Sequence, residues 1–309
     1  MTGGYSVRFA FPTALSMLIA VLLGAQANAA PVVLATIKPI HSLVAAVMAG
    51  TGTPELLIQG AQSEHSYALK PSDAEKIARA TLVFEIGPDL ETYLTRPLAT
   101  LTHAEIVVLE RAPGVRLLPA RRGGLWEDGS DPDDGPTDPH IWLDPENAIA
   151  MTKKIAAALA AADPTHARVF ASNRDRTIRI LTDMEKALGA KLAPLKGRRY
   201  LVFHDAYHYF ESRFGLAAAG TVTVAPDRPV GPRRIENLRG AIFAGRIECV
   251  FREPQFSPRL IDTLVEGTSA RTGVLDPLGA ELVPGPALYP ELMRNLGASL
   301  RSCLKDKNR

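Results

Sequence analysis

The feature that most constrains this chain is a helical stretch with few breakers, from Thr165 to about Lys191, that separates two series of short apolar segments. A helix of ~27 residues reaches about 40 Å, long enough to run along the back of two lobes and join them. Before it, Pro31 to Ile37, Glu55 to Ile58, Leu82 to Ile86 and Ile106 to Leu109 read as short buried strands. Helical spacing lies between them over Ile40–Ala49, from Pro71-Ser72-Asp73 through Ala80, and over Leu90–Leu101, with Ser72 or Asp73 as the cap of the second. After the long stretch the series resumes. Arg199 to Phe203, Ala218 to Val224, Cys249 to Phe251 and Thr272 to Leu275 alternate with helices over Tyr207–Phe214, Arg234–Ala244, Arg259–Ser269 and Tyr289–Leu304. Strand and helix in alternation require crossover connections. The expected fold is therefore α/β: two lobes of βα type with mainly parallel sheets, joined by a long backbone helix.

The ends fit an exported protein. Arg8 supplies a positive n-region, Ala14 to Leu23 an apolar core, and Ala27-Asn28-Ala29 a small-x-small cleavage site. That core is shorter than the ~20 residues a spanning helix needs. The expected organisation is a signal peptide over 1–29, an N-terminal lobe over 30–162, the connecting helix over 163–192 and a C-terminal lobe over 193–309. A net charge of +2 gives no basic footprint for nucleic acid. The two cysteines, Cys249 and Cys303, suggest one disulfide in an oxidising compartment. They stand too far apart for a Cys-x-x-Cys metal site.

Between Arg121 and Asp138 the pattern stops in a loop holding Glu127, Asp128, Asp131, Asp133, Asp134 and Asp138. No glutamate stands where a twelve-residue calcium loop needs its bidentate ligand, so the loop reads as solvated and mobile. The glycines from Gly267 to Gly273 lack the lysine and serine of a phosphate-binding loop and read as a turn.

Of seven histidines, His65, His140 and His204 stand in loops or directly after strand-like runs. In a parallel sheet those loops line the ligand crevice, which places two imidazoles from the first half and one from the second at an interlobe cleft. Three neutral imidazoles suit zinc, copper or nickel rather than calcium or magnesium. His41 is a candidate neighbour of the cleft, and His208 lies one helical turn after His204. His103 and His166 read as surface residues. Asp144 and Asp205 read as loop acceptors or as orienters of the imidazoles.

Five blocks turn this set into a resemblance. Ser63-Glu64-His65-Ser66-Tyr67-Ala68-Leu69-Lys70-Pro71-Ser72-Asp73, Asp138-Pro139-His140-Ile141-Trp142-Leu143-Asp144-Pro145 and Phe203-His204-Asp205-Ala206-Tyr207-His208-Tyr209-Phe210 come in that order. Glu253-Pro254-Gln255-Phe256 and Asp276-Pro277-Leu278-Gly279 follow. Together they resemble the metal-binding proteins of zinc and manganese ABC transporters, from about Val32 to the C-terminus, and most closely their periplasmic zinc-binding, ZnuA-type branch. The resemblance implies that His65, His140 and His204 are ligands of Zn²⁺. It implies that Glu64 is a carboxylate at the site and that Asp276 sits where manganese-binding relatives place a fourth ligand. Those relatives carry a carboxylate at the position of His204, and a third nitrogen favours zinc. It further implies the Cys249–Cys303 disulfide, a monomer without catalysis, and delivery of the ion to a membrane permease driven by a separate ATPase.

This chain departs from many zinc-type members in one respect: the loop before His140 is short, acidic and free of histidine. Two other readings use the same residues, a manganese-binding relative and a secreted zinc hydrolase with Glu64 as general base. No His-Glu-x-x-His helix accompanies the second. Imidazole must be neutral to ligate, so binding is expected to weaken below about pH 6.

Overall fold

The computed structural model describes residues 1–6, 30–122, 125–126, 137–223, 226 and 229–305. Most of the expected signal peptide (7–29) and most of the acidic loop, including Glu127, Asp128, Asp131, Asp133 and Asp134, lie outside the described residues.

The first lobe runs β1 (Val33–Ala35), α1 (Lys38–Val47), β2 (Glu55–Leu56), α2 (Pro71–Arg79), β3 (Leu82–Glu85), α3 (Thr95–Ala99) and β4 (Glu105–Val108). After α4 (Pro145–Ala162) and the long α5 (Ala167–Leu192), the second lobe runs β5 (Tyr200–Val202), α6 (His208–Phe214), β6 (Gly220–Thr221), α7 (Pro232–Phe243), β7 (Cys249–Arg252), α8 (Arg259–Val265), β8 (Arg271–Val274) and α9 (Leu288–Leu304). The sheets are ordered β2-β1-β3-β4 and β6-β5-β7-β8, and every pairing is parallel. Each order reverses direction once, between β1 and β3 and between β5 and β7. In open parallel sheets the crevice beyond the strand ends at that reversal is where ligands settle.

The expected elements form with bounds shifted by a few residues, most of the strands shorter and α7, β7 and α9 slightly longer. Leu90–Leu101 is a 3-10 turn over Thr92–Leu94 followed by α3 rather than one helix. The start at Leu90 fails because the Glu91 carboxylate folds back to accept the backbone N–H groups of Ile86 and Gly87 at 2.8 and 3.1 Å. Of the strand expected over Ala218–Val224, the described residues pair only at Gly220–Thr221, and Val224 lies outside the described residues. In α2 the N-cap position is Lys70, with Asp73 reaching back to its N–H at 3.0 Å.

The long helix is amphipathic. Phe170, Asn173, Thr177, Leu181, Met184, Leu188 and Leu192 form its buried stripe at three- and four-residue spacing. It packs against α1 of the first lobe and α9 of the second. Gly297 permits the second contact, since a Cβ there would come within 2.7 Å of Leu188. Asn173 donates to the carbonyls of Val47 and Ala49 at 2.9 and 2.8 Å, satisfying the C-terminal end of α1. One apolar cluster runs through both sheets, including Val33 and Phe84 on one side and Tyr200 and Phe251 on the other.

Polar contacts add to it. The Trp142 indole donates to the Pro277 carbonyl at 2.8 Å, Tyr289 donates to the Trp142 carbonyl at 2.7 Å, and the Tyr289 N–H donates to Ser42 Oγ at 2.9 Å. The lobes are thereby pinned along one side.

Cys249 and Cys303 are bonded, with Cα atoms 6.2 Å apart, and tie the end of α9 to the start of β7. Cys303→Ser is expected to lower the unfolding free energy by roughly 2–4 kcal/mol, measured by urea denaturation without reductant. A free-thiol count on the denatured, unreduced wild-type protein should give none.

Candidate metal centre

Four side chains converge between the lobes: Glu64, His65, His140 and His204, each offering one donor atom within 4.8 Å of the others. His65 and Glu64 arrive on the loop between β2 and α2. His140 arrives on the segment after β4, where a 3-10 turn over Ile141–Leu143 buries Trp142 beneath it, ring centres 5.3 Å apart. His204 arrives just beyond β5, at the direction reversal of the second sheet. Glu64, His140 and His204 are buried; His65 is partly exposed and forms the rim.

The imidazoles face one another through Nε2. His140 Nε2 lies 3.1 Å from that of His65 and 3.3 Å from that of His204. Four donors at zinc distances around a tetrahedral ion stand about 3.3 Å apart. The opposite nitrogens fix two of the rings. His140 Nδ1 meets Asp138 Oδ1 at 2.7 Å, and the same oxygen accepts the His140 N–H at 2.9 Å. His204 Nδ1 meets Glu253 Oε2 at 2.6 Å, while Glu253 Oε1 accepts from the Tyr207 hydroxyl at 3.1 Å. With Nδ1–H committed to a carboxylate, a neutral ring presents its Nε2 lone pair to the centre; His140 does so as it stands, and His204 once its second proton is lost.

Burial pushes His65 and His140 well below the ordinary imidazole range, and the neighbouring imidazoles push further. His204 goes the other way. Burial opposes its charge most strongly of any one influence, but the carboxylates of Glu253, Glu64 and Asp205 together outweigh it and raise His204 to about 9. Burial raises Glu64 to about 7, against the pull of His204. Glu64 Oε1 is buried and has no hydrogen-bond partner among the described residues. One protonated imidazole thus holds two neutral ones close.

The other sequence candidates lie elsewhere. Asp276 does not join the group; its oxygens accept hydrogen bonds from Gln255 and from backbone N–H groups of its own turn. His41 contacts the Pro54 carbonyl at 3.1 Å, and His103 contacts that of Ala78 at 3.1 Å. His166 pairs with Asp163. His208 Nδ1 lies 3.7 Å from Asp138 Oδ2 and points no donor into the group. Asp144 and Asp205 are acceptors but not orienters of imidazole. Asp144 caps α4 and binds Arg213 at 2.7 Å, and Asp205 binds Arg121 at 3.0 Å. The orienting roles belong to Asp138 and Glu253. The topology carries a signal for Glu253: it follows β7, the parallel neighbour of β5, whose end delivers His204.

Two parallel lobes with such a donor set between them define a two-lobed α/β protein with a candidate transition-metal centre in its cleft. The family described as zinc-uptake complex component A, periplasmic, matches residues 33–303, and the chain belongs to it. It is 44% identical over 304 residues to the high-affinity zinc uptake system protein ZnuA of Brucella abortus, covering 88% of this chain and 91% of that protein. It is 34% identical over 293 residues to the ZnuA of Yersinia pestis, covering 90% and 92%. A solved structure of ZnuA superposes with a TM-score of 0.77 at 22% identity, covering 90% of this chain and all of that one, and so shares the fold.

Proton nuclear magnetic resonance of the metal-free protein should show His204 losing its proton near pH 9, with Glu253→Gln returning it toward the ordinary value. A folded value raised above the unfolded one contributes stability fully present below about pH 6.5 and lost as pH rises through the folded value. Unfolding measurements should therefore show the metal-free protein weakening between about pH 7 and 9. A flat profile there would contradict the His204–Glu253 assignment.

Proposed function

We propose that this chain captures Zn²⁺ in the cleft with His65, His140, His204 and Glu64, and hands it to a membrane permease powered by a separate ATPase. The single observation that supports this most is the convergence of three Nε2 atoms on one point, beside a buried carboxylate oxygen with no partner. Three nitrogens and one oxygen suit zinc by ligand type and number. A hydrolase reading would hold Glu64 back as a base and keep a coordination position open. Here Glu64 is as buried as the imidazoles and stands among them.

Export fits the same role. The chain acts in the periplasm after cleavage behind Ala29, as a monomer, with lobes 30–162 and 193–309 joined by 163–192. Binding and release suffice, and no chemical step is required. Among the described residues no helix is long and apolar enough to cross a membrane.

Zinc displaces the His204 proton and competes with that of Glu64. The pH window thus lies higher than free imidazole alone suggests: affinity climbs from about pH 6 up to about pH 9, by roughly tenfold per unit where one proton is released. Calorimetry in buffers of different ionisation enthalpy measures that release, and zero release at pH 7.5 would refute it. Zinc titration of the metal-free mature protein tests the site itself. His140→Ala should weaken binding by at least about a hundredfold, and Glu253→Gln by about tenfold. Unchanged affinity in His140→Ala would overturn the assignment.

A further inference from the structure

One carboxylate at the edge of the site is kept out of it. Asp276 follows β8, and its charge is felt by Glu64 and by Tyr207. Asp276 stands outside the group of converging donors, and both of its oxygens are held by hydrogen bonds. Oδ1 accepts from Gln255 Nε2 at 3.0 Å and from the N–H groups of Leu278 and Gly279 at 3.1 and 2.9 Å; Oδ2 accepts from the N–H of Ala280 at 2.5 Å. The backbone from 276 to 280 therefore winds around its own first side chain. Gly279 makes the turn at φ 72°, where a side chain would be strained and would press on Leu282 and Leu292 at 3.1 and 3.2 Å.

The carbonyl side of this turn is held from the opposite lobe. Lys38, at the start of α1, is 5% exposed, and its ammonium donates to the carbonyls of Gly279, Ala280 and Leu282 at 3.1, 2.5 and 3.3 Å. Burying an ammonium against neutral carbonyls is unfavourable unless its hydrogen bonds are well made. An apolar side chain of similar length would fill the space without that cost. What the ammonium adds is geometry, since its three donors fix three carbonyls, of Gly279, Ala280 and Leu282, in the turn that immobilises Asp276.

We propose that Lys38 is a specificity-determining residue: by locking the 279–282 turn across the lobe interface, it withholds the Asp276 carboxylate from the metal centre. This rests on the zinc-binding reading above. Zinc is satisfied by three nitrogens and one oxygen in a tetrahedron. Manganese prefers more oxygen ligands in octahedral geometry. A chain that withholds its second carboxylate therefore disfavours manganese without altering the three imidazoles. Gln255 supports the lock from within the second lobe.

The test is parallel titration of the metal-free mature protein with Zn²⁺ and with Mn²⁺, the latter read by electron paramagnetic resonance of the free ion. Lys38→Met is expected to raise Mn²⁺ affinity by about tenfold over wild type, the scale on which residues behind the ligands act. Gln255→Leu should shift it in the same direction by a smaller factor, and serves where the Lys38 variant does not fold. Adding Asp276→Asn to either variant should cancel the gain. Unchanged Mn²⁺ affinity in both single variants, or a gain that survives Asp276→Asn, overturns the proposal. A wild-type protein that takes up no zinc would instead sink the zinc-binding reading, and this proposal with it.

Discussion

Three imidazole nitrogens facing one another at 3.1 and 3.3 Å are the constraint on which the rest of this structure depends. Neutral imidazoles oriented this way aim lone pairs at a common point and repel. His204 carries a proton on its own account, held by the carboxylates around it, Glu253 first. A divalent cation relieves the repulsion fully. Glu64 adds a carboxylate oxygen, Oε1, that has no hydrogen-bond partner among the described residues, so the protein leaves at one point an unmet demand for positive charge.

Such a demand persists only if the scaffold does not relax it away. The carboxylates of Asp138 and Glu253 fix the His140 and His204 rings from behind. Trp142 fills the floor and bonds across to Pro277. Lys38, Tyr289 and Ser42 tie the lobes, and α5 presses its apolar stripe on helices of both. The disulfide holds α9, which packs on α5, against the second sheet. The centre is preorganised because its two halves are not independent bodies but share one core.

Much of this was legible in the sequence. Alternating short apolar runs and one long stretch with few breakers give two lobes of parallel sheet and their connection, since crossover chirality and strand burial leave few alternatives. His65, His140 and His204 were readable because each follows a strand or turn where a parallel sheet exposes its ligand crevice. What stayed hidden was set by side-chain direction. Asp144 and Asp205 stand beside the histidines in sequence, yet their carboxylates turn to Arg213 and Arg121. Asp138 and Glu253 take the orienting roles, the latter from a neighbouring strand 49 residues further along the chain. Asp276 looks like a ligand by position, and only its turn shows where its oxygens go. Leu90 reads as helical by periodicity, but a buried carboxylate at Glu91 outcompetes the helix for local N–H groups.

The central claim is a centre of three imidazoles and one carboxylate around one ion. X-ray absorption at the zinc K-edge of the protein loaded with one equivalent of zinc measures that shell directly. The expected shell is about three imidazole nitrogens and one oxygen at roughly 2.0–2.2 Å, with no sulfur. A shell with one imidazole or none, or one dominated by oxygen in six-coordinate geometry, would contradict it.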